Sequence, residues 1–137
     1  MLIKEYEGLA VKTLMTKLLA DDVFDGFLFH EALVVSSARF QFELADMHQM
    51  WQELRPIIFS CIKGKIRPKV FRLVLKASDK LIQEITPQAS ALFVNINYEQ
   101  DALLLTSGYS LKSFSLDKSF EQSWDDYLNH FLLSIGV

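Results

Sequence analysis

The amino-acid sequence predicts an α+β domain, a curved and mostly antiparallel sheet of about six strands with amphipathic helices packed on one face. Three observations carry the prediction. Residues 92–98, 102–106 and 111–116 read as successive strands that run into an amphipathic helix. Residues 39–44 alternate polar and apolar without a break, the period of a half-buried strand. Consecutive strand segments are separated by short turns, and such short connections force antiparallel pairing.

The elements follow in order. Residues 2–6 suit a short edge strand, and after Gly8 the apolar positions Val11, Leu14, Met15 and Leu18 form a helical stripe. Asp21, Asp22, Asp25 and Gly26 supply turn chemistry. The nearly continuous apolar run 27–35, broken by His30 and Glu31, reads as a strand with both faces partly covered. Ser36 and Ser37 then link it as a hairpin to 39–44, which puts Phe40, Phe42 and Leu44 on one face.

Asp46 is positioned to cap a second helix whose stripe comprises Met47, Met50, Trp51, Leu54, Ile58, Cys61 and Ile62. Pro56 removes a ladder bond, so this helix is either kinked or split, with Pro56 opening the second piece. Gly64 ends it, and Pro68 leads into a strand over 70–77 with Phe71, Leu73 and Leu75 facing one way and Arg72 and Lys76 the other. Ser78 and Asp79 cap a short helix over 80–85 that Pro87 terminates. Turns are expected at 99–101 and 107–109. Asp117 precedes a final helix with the stripe Phe120, Trp124, Tyr127, Leu128, Phe131, Leu132 and Ile135, its acids gathered near the positive end of the helix dipole.

The 137 residues suit a single domain over 1–137, and half of them are apolar, enough for a core without covalent staples. The lone Cys61 excludes an internal disulfide framework, and the early charges Lys4 and Glu5 argue against a secretory leader, so the expected setting is cytoplasmic. Apolar runs fall far short of the roughly 20 residues that cross a bilayer, and no membrane partner is expected. A net charge of −3 opposes a global positive field. Its distribution is uneven: residues 63–80 hold seven of the fourteen basic residues and a single acid, Asp79.

The chemistry-bearing residues do not converge. His30 and Glu31 are neighbours on a strand, where alternation sends adjacent side chains to opposite faces. His48 and His130 belong to different segments, and no His, Cys, Asp and Glu set has metal-ligand spacing. Cys61 lies on an apolar helical stripe, Lys63-Gly64-Lys65 lacks the strand and spacing of a phosphate loop, and the eleven phenylalanines, among them Phe40, Phe42, Phe71, Phe120 and Phe131, fall at core periodicity. No catalytic residue, cofactor or metal is assigned.

Two polar groupings suggest recognition. Lys63, Lys65, Arg67, Lys69, Arg72 and Lys76 would rim the entry to the central strand and could meet phosphates or an acidic partner. Alternation also projects Arg72, Lys76, Asn95, Asn97, Ser113 and Ser115 from the sheet face opposite the core. The expected function is a noncatalytic protein-binding or regulatory module. The alternatives are nucleic-acid or other polyanion contact through 63–76, and a small enzyme assembled from distant residues such as His30, Glu31 and Cys61. Self-association through the 2–6 edge or the polar sheet face is a further partner class.

Trp51 with Leu54-Arg55-Pro56, Ile62-Lys63-Gly64-Lys65 with Pro68 and Phe71, and Phe114, Leu116-Asp117-Lys118-Ser119 with Trp124-Asp125-Asp126 together resemble an uncharacterised family of short proteins from Gram-positive bacteria. The resemblance implies a bacterial, cytoplasmic single domain. It transfers no activity, cofactor or site.

Overall fold

In the computed structural model, which describes residues 1–44, 49–62, 68–113 and 119–137, the strands form one open antiparallel sheet. The strands are β1 (Ile3–Glu7), β2 (Leu28–Val35), β3 (Arg39–Glu43), β4 (Val70–Lys76), β5 (Ala89–Glu99) and β6 (Ala102–Leu111). Their spatial order is β1-β6-β5-β4-β2-β3, which leaves β1 and β3 as edges. The helices are α1 (Leu9–Leu19), α2 (Trp51–Ile62), α3 (Asp79–Ile85) and α4 (Ser119–Ser134). This is the expected α+β class with its six-stranded sheet.

Local chemistry explains the connections. Gln100 and Asp101, both at positive φ, form the two-residue turn between β5 and β6, a backbone whose twist matches the flanking strands. Tyr98 Oη donates to Asp101 Oδ1 at 3.1 Å and ties that turn to its strand. Ser78 caps α3 by accepting from the Leu81 amide at 3.3 Å. Ser36 N donates to Ala38 O at 2.9 Å within the β2–β3 hairpin.

A single core lies between the sheet and the helices. Phe71, Leu73 and Leu75 of β4, Leu92, Val94 and Ile96 of β5, and Leu103 and Leu105 of β6 are buried together with Leu14 and Leu18 of α1, Trp51 and Ile58 of α2, Ile82 of α3, and Trp124, Leu128 and Leu132 of α4. The two tryptophans anchor opposite ends of this layer. Trp51 is fully buried, stacks on Phe29 at 6.5 Å and donates Nε1–H to Leu18 O at 3.3 Å. Trp124 stacks on Tyr127 at 5.7 Å and donates to Phe93 O at 3.1 Å. Each indole therefore buries its ring while satisfying its one donor. Arg55 adds a two-pronged ion pair from α2 to Asp25, at 2.9 and 3.0 Å.

Four expectations are corrected. The turn expected at 107–109 is strand: β6 runs unbroken from Ala102 to Leu111, and Gly108 sits opposite Phe93 where the backbones and side chains approach closely. The separate strand over 111–116 is thereby lost as far as Ser113, and 114–118, with Asp117, lie outside the described residues. The second helix begins at Trp51, later than its stripe suggests, because Phe29 N donates to Gln49 O and Trp51 N to Phe27 O, which hold 49–51 against β2. Met50 accordingly bridges Leu28 in extended pairing, and Asp46 lies outside the described residues. Of the two alternatives left open at Pro56, the structure has the single helix, with the proline inside it. Phe40 is 41% exposed: it faces the core side, but from an edge strand beyond the helices.

Candidate functional site: the open sheet face

The α-helices contribute their buried residues to one side of the sheet, and no described element covers the other. Strand register determines what stands on this open face. Gln41, Leu33, Arg72, Asn97, Leu104 and Glu5 form a continuous cross-strand row from edge to edge. A flanking row reads Glu43, Glu31, Val74, Asn95, Thr106 and Ile3. The other flanking row reads Arg39, Val35, Val70, Glu99, Ala102 and Glu7. Side-chain alternation produces these rows, because on β2, β4, β5 and β6 the residues flanking most of these positions along the strand are buried against the helices.

The face is neither a plain solvent surface nor a second core. Leu33, Val35, Val74, Phe93 and Leu104 are half-buried among polar neighbours, and Ile3 is exposed at the β1 edge. A shallow trough of about 410 Å³ runs over β3, β2, β4 and β5, with Leu33 and Val74 as apolar floor and Arg39, Gln41, Arg72, Asn95 and Asn97 as donors. A second hollow of about 330 Å³ lies over β5, β6 and β1, with Glu5, Glu7 and Glu99 around Leu104. The cations of these rows, Arg39 and Arg72, thus stand toward β3 and β4 beside Glu31 and Glu43, while the side toward β1 and β6 carries acids alone.

The expected binding residues divide accordingly. Arg72, Lys76, Asn95 and Asn97 share the open face, with Arg72 paired to Asn97 and Lys76 to Phe93. Lys69 is exposed just before β4, where its amide donates to Val35 O at 2.7 Å. Ser113 is exposed beyond the end of β6. Lys63, Lys65, Arg67, Ser115 and His48 lie outside the described residues. Sequence reasoning missed Arg39, Gln41 and Thr106 as members of the face. The period-2 signal was visible in 39–43, but which strands flank β4 was not, and register alone brings Arg39 and Gln41 toward Arg72.

One expectation about His30 is reversed by a bulge. Phe29 pairs with Leu75 and Glu31 with Val74, so His30 is an extra residue in β2. Its ring packs edge-on against Phe93 at 5.3 Å, and Phe93 points outward between the buried Leu92 and Val94. His30 and Glu31 thus stand on the same face. His30 Nδ1 is enclosed without a hydrogen-bond partner among the described residues. Cys61 is half-buried on α2 and His130 is exposed on α4, so neither joins His30 on the open face. No group of three or more His, Cys, Asp and Glu side chains suited to a metal occurs among the described residues. No described helix is long and apolar enough to cross a membrane.

An α+β domain of this kind, with one face sealed by helices and the other a mixed polar and apolar sheet surface, defines a structural class and leaves its chemistry open. The chain belongs to DUF5721, a family of unknown function whose model matches residues 17–136. No curated protein and no solved structure matches the chain detectably. Among the described residues that carry the sequence resemblance, Trp51, Arg55, Phe71 and Trp124 serve the core and its ties.

Proposed function

We propose that the protein is a noncatalytic recognition module of the bacterial cytoplasm whose open sheet face binds a partner protein. The observation that carries this reading is the edge-to-edge row Gln41–Leu33–Arg72–Asn97–Leu104–Glu5, where two half-buried leucines are each flanked by groups that donate or accept hydrogen bonds. Interfaces of non-obligate complexes have this mixed composition, with apolar centres and polar surrounds. A broad, shallow, strand-built surface also suits a protein better than a small molecule, whose sites are concave and bury most of the ligand. His30 packed on Phe93, away from Cys61, supports recognition over catalysis.

Photo-crosslinking decides between this face and the helical one. A benzophenone side chain in place of Val74 or Asn97 is expected to give a discrete protein adduct in the native cell, and one in place of Lys12 or Gln83 is not. Equal adducts from both sets, or none from the sheet, would remove the reading.

A further inference from the structure

We infer that the occupant of the open face is a second copy of this chain, stacked sheet upon sheet about a two-fold axis that runs parallel to the strands. The inference rests on the open face being the recognition surface and deepens that reading by naming the partner.

Charge placement supplies the argument. The cations of the face, Arg39 and Arg72, stand on its β3 and β4 side, where Glu31 and Glu43 accompany them, whereas the β5, β6 and β1 side carries Glu5, Glu7 and Glu99 and no cation in these rows. A two-fold axis lying between two stacked sheets can run along the strands or across them. Across the strands, through the middle row, it sets Arg39 upon the partner's Glu43 but also Arg72 upon the partner's Arg72 and Glu5 upon the partner's Glu5. Like charges so placed repel. Along the strands it exchanges the two margins: β1 faces β3, β6 faces β2, and β5 faces β4.

With the axis along the strands, register dictates each meeting. Arg39 lies over the partner's Glu7, because both belong to the same row at opposite edges. Leu33 meets the partner's Leu104 and Arg72 meets the partner's Asn97, one diagonal step from the partner's Glu99. The half-buried leucines thus close on each other, Arg39 and Glu7 pair twice over, and Glu43 and Glu31 face the partner's Ile3 and the partner's Thr106, so no like charges meet. Stacked twisted sheets rotate by roughly 30°, which displaces the edges by about one row. A rotation in the sense that carries Arg39 toward the middle row brings it to the partner's Glu5.

The area is sufficient. Six strands spaced about 4.8 Å apart span about 24 Å, and three outward rows span about 20 Å. Pairing would bury on the order of 1,000 Å² in flat projection over both copies, near the lower limit of specific interfaces. An interface of that size with polar rows forms a reversible dimer that salt weakens.

Sedimentation equilibrium of the full chain tests this. The wild type should dimerise with rising concentration and dissociate at least about tenfold more readily in 500 mM than in 50 mM NaCl. Arg39→Glu and Glu7→Arg should each weaken self-association by at least about tenfold, with unchanged circular dichroism. An equimolar mixture of these two variants should regain the dimer, because each variant carries the charges the other lacks. Misfolding cannot produce that rescue.

A wild type that stays monomeric to millimolar concentration overturns the inference, as does a dimer indifferent to both reversals or a mixture that fails to pair. A monomer that still yields a discrete foreign adduct from Val74 would sink the second copy as occupant and leave open-face recognition standing. A dimer whose protection from hydroxyl radicals maps to the helices would remove both.

Discussion

The two faces of the sheet are built from the same strands, yet they obey different rules. On β4, Leu73 is fully buried beneath the helices, while Val74, the next residue, stands half-exposed between Glu31 and Asn95. On β5 the same division separates Val94 and Ile96 from Asn95 and Asn97. The covered face answers to volume and shape, because close-packed interiors penalise every missing methylene. The open face is free of that constraint, and its composition departs from both a core and a solvated surface. Apolar and polar groups are interspersed across strands there, and Arg39 and Arg72 lie on the opposite side of the face from Glu5 and Glu7. Stability requires neither pattern, whereas recognition of a partner does.

The largest expected effect sets adjacent residues of β4 against each other. Leu73→Ala should cost about 3–5 kcal/mol, the loss of a buried side chain plus the cavity it leaves. Val74→Ala should cost no more than about 1 kcal/mol in dilute protein, since that side chain already meets water. Urea denaturation followed by tryptophan fluorescence reads both, with Trp51 and Trp124 as buried reporters. Equal costs would mean that the open face is packed like a core, and the contrast between the faces would fail.

A second test sharpens the contrast through a polar atom on the wrong side. Tyr6 of β1 points to the covered face, where its Oη is enclosed without a partner among the described residues. An unsatisfied buried hydroxyl is destabilising, whereas the same group on the open face could hydrate. Tyr6→Phe should therefore raise stability at neutral pH by about 1 kcal/mol. Burial also raises the Tyr6 phenol above its ordinary value, and burial followed by the charge of Glu84 does the same for Tyr127. The sign follows from linkage: above pH 10 the unfolded chain gives up these protons while the folded chain keeps them, so stability is intact below pH 10 and falls as pH rises beyond it. In Tyr6→Phe that alkaline decline should be shallower, with the Tyr127 share remaining. Denaturation midpoints from pH 8 to 11 would show it, and identical slopes in wild type and variant would refute the assignment.

How far the sequence discloses these faces depends on the kind of signal. Alternation in 70–76 and 92–98 separates Leu73 from Val74 and Ile96 from Asn97 with no knowledge of neighbours, because the side-chain period is local. Strand order is not local. Nothing in residues 39–43 shows that β3 lies at the edge beyond β2, so Phe40 reads as core although it overhangs the helices, and Arg39 does not announce its approach to Arg72. The bulge at His30 escapes for a related reason, since an unpaired residue is visible only against its partner strand. Gly108 misleads differently. Flanked by Ser107 and Tyr109 it resembles turn chemistry, yet its small size serves the contact with Phe93 across the sheet.

That glycine offers the finest probe of whether the open face is free. A Cβ at Gly108 would stand 3.2 Å from Asn95 Nδ2 and 3.5 Å from Phe93 Cβ. The second distance is ordinary contact; only the first requires movement, by a few tenths of an ångström, of the far end of a flexible side chain. Asn95 stands on the open face, where nothing among the described residues blocks a rotation of its amide. Replacing a strand glycine also removes disorder from the unfolded chain and improves strand propensity, together worth roughly 0.5–1 kcal/mol. The two effects offset, so Gly108→Ala should lie within about 0.5 kcal/mol of wild type in dilute solution. A loss above about 1 kcal/mol would mean that the Asn95 amide is walled in and the face is closed. At concentrations where copies pair, the same substitution should become costlier, because the stacked partner takes the space into which Asn95 swings.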